Sequence, residues 1–179
     1  MNRVLAALVA IGALLAAAQG AHAQATVTRS PATAPALGTT IRGNATTVFS
    51  ISATGTVTRV SGNAIRLSSA SVTTPTLTIN CGLLNLSGLC ALRYVRVTIT
   101  PVTGSGPATI SKLRVASLSG ASYRSGSAPS EGASLMFDLN PLGLLGSATL
   151  RLGMDVTLAA NAASGNHSYD YIVTVDLVQ

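Results

Sequence analysis

Residues 147–158 read SATLRLGMDVTL, and this stretch decides the fold class. Ala148, Leu150, Leu152, Met154, Val156 and Leu158 occupy every second position, and Thr149, Arg151, Gly153, Asp155 and Thr157 fill the places between. Successive strand side chains point to opposite faces, so a strict period of two is what a β-strand with one buried face requires. No helical spacing competes with it. The alternation returns in SYDYIVTVDLVQ, where Tyr169, Tyr171, Val173, Val175 and Leu177 share a face. The intervening AANAASGN reads as a turn, so the two strands are expected to form an antiparallel hairpin.

Shorter patterns of the same kind extend back along the chain. Phe49 and Ile51, Ile65 and Leu67, Leu77 and Ile79, Val95, Val97 and Ile99, and Leu135 and Phe137 each alternate with polar residues, with turn residues between the groups. In PATISKLRVASL the apolar phase changes between Ile110 and Leu113, as one extra residue would cause, which predicts a β-bulge. Roughly nine strands without an intervening helix predict an all-β fold, an antiparallel immunoglobulin-like β-sandwich, with a jelly roll as the alternative. The folded domain is expected over residues 38–179. Residues 24–37, which contain Pro31 and Pro35, read as an extended, mobile lead segment.

The N-terminus places Arg3 before an apolar run from Val4 to Ala18 and ends it with Ala21-His22-Ala23. That pattern predicts a signal peptide over residues 1–23, cleaved between Ala23 and Gln24, because the run is shorter than the ~20 residues a spanning helix needs. The mature chain is then expected to be exported to the periplasm, outer surface or medium, and not to span a membrane. It would keep ten of the 11 basic residues against five acidic ones. Charged residues are only 9% of the sequence, and the basic ones are dispersed, so nucleic acid is not an expected partner. Cys81 and Cys90 are the only cysteines. In an oxidising compartment such a pair is expected to join as a disulfide.

The sequence offers little for catalysis. Glu131, Asp138, Asp155, Asp170 and Asp176 are scattered, and His167 is the one histidine beyond the leader, so no acid–base pair, metal site or cofactor is expected and the chain does not read as an enzyme. Two leucine-rich loops, CGLLNLSGLC and NPLGLLGS, put Leu83, Leu84, Leu86, Leu142, Leu144 and Leu145 outside any alternating strand. They either plug the open end of a sandwich or form a partner surface. Arg93, Arg96, Arg114 and Tyr94 are candidate contacts for an anionic polysaccharide or other saccharide ligand.

The final third resembles the C-terminal signature of a family of secreted bacterial proteins known as domain of unknown function four-four-zero-two, through Leu152, Gly153, Ala159 to Ala163, Gly165, Tyr169 and Val173 to Val175. The ending is also similar to that of fimbrial subunits assembled by the chaperone and usher route, with an alternating last strand and a glycine, Gly165, fourteen residues before the end. It departs from them at Val178, where an aromatic residue is usual, and in the short span between Cys81 and Cys90. The resemblance implies a secreted structural or adhesive surface protein, a fimbria-like subunit whose partners are itself or other surface subunits. The alternative is a monomeric binding module for an anionic or saccharide ligand.

Overall fold

The computed structural model describes residues 25–81, 89–104, 106–143 and 145–179. The expected signal peptide with its Ala23/Gln24 junction, and Leu83, Leu84, Leu86 and Leu144, lie outside the described residues. Twelve strands are seen among them: β1 (Thr26–Ser30), β2 (Ala36–Ile41), β3 (Thr47–Ile51), β4 (Val57–Ser61), β5 (Ile65–Arg66), β6 (Thr76–Asn80), β7 (Tyr94–Pro101), β8 (Ala108–Ser119), β9 (Leu135–Leu139), β10 (Ser147–Leu158), β11 (Gly165–Ser168) and β12 (Tyr171–Val178). One helical turn, α1 (Leu89–Leu92), precedes β7. The fold is all-β and antiparallel, packed as a sandwich.

β10, the strand that decides the fold in sequence, is also its structural axis. One edge of it pairs with β8 along its length; the other edge is divided, residues 147–151 pairing with β6 and residues 154–158 with β3. β1 extends the sheet beyond β6, and β4 extends it beyond β3. Two three-stranded sheets, β11-β2-β5 and β12-β7-β9, complete the sandwich. One core joins all three: Phe49, Ile51, Leu77, Ile79, Leu113 and the apolar face of β10 meet Leu37, Val95, Val97, Ile99, Leu139, Tyr169 and Tyr171.

The expected bulge is present. Asp155 pairs with Lys112 and Val156 with Ile110, leaving Ser111 as the extra residue, and a second shift leaves out Ala116. These two insertions let a strand of twelve residues keep its apolar side inward while it bends around β10.

Two expectations are corrected. β10 and β12 are not a hairpin, because after β10 the chain crosses the sandwich, adds β11 to β2, and ends on β7. Both strands have a buried face, and placing each in a separate sheet lets those faces meet across the core. Nor do the described residues of the expected lead, 25–37, lack regular structure. Residues 26–30 pair with the whole of β6, and β2 begins at Ala36. The reason is positional: Pro31 and Pro35 fall in the connection between β1 and β2, where a missing N–H interrupts no ladder.

Candidate functional site

The last strand sits at a sheet edge. β12 pairs with β7 from Tyr171↔Pro101 to Val178↔Tyr94 and with no other strand among the described residues. Val102 N–H donates to Asp170 C=O at 2.9 Å. Bonded and non-bonded pairs alternate along an antiparallel ladder, so Ile172, Thr174, Asp176 and Val178 direct their main-chain groups to β7. Those of Val173, Val175 and Leu177 therefore point to the free edge, while their side chains lie half-buried against the core. Tyr171, at the start of the strand, is held differently. Its N–H donates to the Asp170 carboxylate, and its carbonyl accepts from Arg29 of β1, whose guanidinium is also ion-paired with Asp170 and lies 5.4 Å from the Tyr171 ring centre.

Below this edge lies the disulfide. Cys81 and Cys90 are bonded, as expected, with Cα atoms 5.9 Å apart. With Ala25 they form a small buried cluster on which Leu142, Val175 and Leu177 pack. The two described leucines of the second leucine-rich loop part company: Leu142 packs on the core, and Leu145 is 58% exposed. Plugging thus fits Leu142, and Leu145 faces solvent.

The four residues expected to contact an anion are not brought together. Arg96 lies on β7 and Arg114 on β8, in different sheets, and each is taken by a carboxylate. Arg96 makes a two-pronged bond to Asp138 at 2.8 and 3.1 Å, and Arg124 donates to the same carboxylate at 3.5 Å. The Arg96 hydrogen bonds hold the Asp138 carboxyl below the usual range, against the opposing effect of burial. Tyr94 is stacked beneath Arg124, 3.8 Å from ring centre to guanidinium carbon. Arg93 is half-buried just before β7.

Arg114 lies as a strap over β10. It is opposite Gly153 in register, and its guanidinium reaches past that glycine to Asp155 and to Ser50 and the Ile51 carbonyl of β3. A Cβ on Gly153 would stand 2.8 Å from Arg114 Nε and 3.3 Å from the Ile51 carbonyl oxygen, so only glycine leaves room for the strap. Burial alone would raise the Asp155 carboxyl; the bonds from Arg114 and Ser50 outweigh it and hold it low. Sequence reasoning did not single out Arg29, Arg124, Asp138 or Asp155 as partners in these pairs. Their spacing along the chain carries no signal, since the partners in the Arg29–Asp170 pair are 141 residues apart.

Fold and site together define a class: an antiparallel all-β sandwich with one disulfide and its last strand, like the other terminal strands of the three sheets, paired on one side only among the described residues. They contain no group of three or more potential metal ligands and no helix long and apolar enough to cross a membrane. Comparison with protein-family models, with curated proteins and with solved structures gives no match.

Proposed function

We propose that this chain is exported and serves as a structural or adhesive β-sandwich at the cell surface, without catalytic activity, joining a second copy or another surface subunit through the edge of β12. The observation that carries this reading is the row of outward main-chain groups at Val173, Val175 and Leu177. A flat edge with unpaired donors and acceptors is a template for one more strand, and proteins that do not use such an edge usually block it with charge, proline or a covering loop. The apolar N-terminal run, the disulfide and the resemblance of the final third to secreted and fimbrial chains support export and a surface role. An immunoglobulin-like arrangement of the sandwich fits the same reading. A monomeric binder using Arg93, Arg96, Arg114 and Tyr94 has less behind it, because two of those arginines are already neutralised within the chain.

Size exclusion with light scattering on the chain recovered from cells, followed by electron microscopy of any large fraction, tests the proposal. Assemblies or filaments are expected. Val175→Pro removes an edge-facing donor and leaves the β7 ladder whole, so it should abolish assembly while the monomer still unfolds cooperatively. A strict monomer at every concentration, or assembly unaffected by Val175→Pro, would overturn the edge as the joint.

A further inference from the structure

At the opposite corner of the molecule, β4 of the large sheet and β5 of the β11-β2-β5 sheet leave a cleft of about 460 Å3 with Phe49, Val57 and Ala64 at its base and Arg59 and Arg66 at its sides. Arg59 is opposite Phe49 in register and Arg66 opposite the buried Thr40, so both stand on the inward sides of their strands, at the mouth between the sheets. Arg66 is fixed there by three main-chain carbonyls, those of Leu37, Ser68 and Ala70, and Arg59 by the carbonyl of Ala64. Of the five N–H groups that each guanidinium carries, these bonds use three on Arg66 and one on Arg59, leaving two and four without a protein partner among the described residues.

Neither arginine has a counter-ion. The acidic residues of the whole sequence number five. All lie among the described residues; Asp138, Asp155, Asp170 and Glu131 are spent on Arg96, Arg124, Arg114, Arg29 and Lys112, and Asp176 stands beside Arg96. The side chain of Arg42, just after β2, bonds only to the neutral Asn161 among the described residues. Five arginines beyond the leader have no carboxylate partner among the described residues, Arg42, Arg59, Arg66, Arg93 and Arg151, and three of the five, Arg42, Arg59 and Arg66, stand at this corner.

The same corner carries exposed aliphatic side chains. Ile41, Val60, Ile65 and Leu67 are four of the eight large hydrophobic residues that stand exposed among the described residues, and Ile41 is the cross-strand partner of Ile65. The one aromatic ring in the cleft wall, Phe49, is 2% exposed and is too deep to stack on a sugar. Cations without counter-ions beside exposed aliphatic groups, with no aromatic platform, suit an amphiphile with an anionic head better than a soluble glycan. We propose that this corner binds an anionic lipid surface, with a phosphate head group between Arg59 and Arg66, Arg42 adding to the field, and Ile41, Ile65 and Leu67 entering the interface. This site is separate from the β12 edge and does not depend on it.

Sedimentation with vesicles tests it, using the chain as recovered from cells. Vesicles of phosphatidylcholine mixed with phosphatidylglycerol should retain the protein, phosphatidylcholine alone should not, and moderate salt should release it. Arg59→Gln and Arg42→Gln should each weaken partition about fivefold, Arg59→Lys should largely restore it, and Leu67→Ser should weaken it at unchanged charge. Arg151→Gln, which removes an equal charge from the outer face of β10, should change it little. Equal retention on both vesicles, no retention on either, or an effect of Arg151→Gln as large as that of Arg59→Gln would overturn the proposal. So would Arg59-dependent binding to a soluble sulfated polysaccharide without binding to vesicles.

Discussion

At the scale of single residues, the two tyrosines at the entry to the last strand and the arginine strap make separable demands. Tyr169 and Tyr171 are almost wholly buried, and neither hydroxyl has a hydrogen-bond partner among the described residues. A buried hydroxyl without a partner is a cost, so Tyr169→Phe should leave stability equal or raise it by up to about 1 kcal/mol in denaturant unfolding. A loss larger than that would mean that the hydroxyl is bonded. Burial pushes the Tyr171 phenol up to about 12 and Tyr169 further in the same direction. The unfolded chain releases these protons near pH 10 and the folded one later, so stability should fall as pH rises above about 10, and Tyr169→Phe should soften that fall. Asp138 has the opposite sign. Its carboxyl is held low by Arg96, so its contribution is complete above the ordinary carboxylate range and disappears as pH falls through the lowered value. Asp138→Asn should therefore destabilise the protein at neutral pH, with the gap to the parent closing as pH falls below the ordinary carboxylate range, as seen in unfolding midpoints across acid pH. Gly153→Ala forces Arg114 off its path and should cost about 1–3 kcal/mol by the same measurement. The inward tyrosines were legible in the sequence from period two alone. The role of Gly153 beneath Arg114 was not, because it depends on a side chain brought across by strand pairing.

At the scale of elements, the sequence showed strands wherever one face is apolar, and it missed those whose faces are both polar. β1 is TVTRS and β11 is GNHS; neither alternates in a way that separates it from a loop. β1 is a strand because β6 provides a ladder for it and Arg29 ties its end to Asp170 and Tyr171. Removing residues up to Ser30 should uncover the edge of β6 and lower the melting temperature by several degrees, where a mobile lead would be lost without effect. Differential scanning calorimetry distinguishes the two. The disulfide was legible from counting cysteines. It closes a loop of sequence separation 9, for which the chain-closure model gives about 2.5–3 kcal/mol, and replacing both cysteines by serine should lower stability by about that much. The packing of Val175 and Leu177 on the disulfide cluster means that this loss should also loosen the end of β12, which is measurable as faster hydrogen exchange at its amides.

At the scale of the whole molecule, the sequence conveyed class and left topology undetermined. Any two strands with one apolar face satisfy a hairpin pattern equally well, and the pairing of β12 with β7 rather than β10 is decided by how all the apolar faces close over one core. The divided edge of β10 has a further consequence, for the order in which the protein is made. β3 and β6 lie far ahead of β10 in the chain, and neither pairs with the other, so the strand that unites them arrives only at Ser147. Until then a growing chain has the partners only for the β3–β4, β1–β6, β2–β5 and β7–β9 pairs, and β8 is without β10 along the whole of its length. Contacts this distant in sequence make folding slow, since loop closure must precede any reward from pairing. The sandwich is therefore a structure that synthesis cannot complete piecemeal: the incomplete chain stays open and pliable, and it closes late, around one strand.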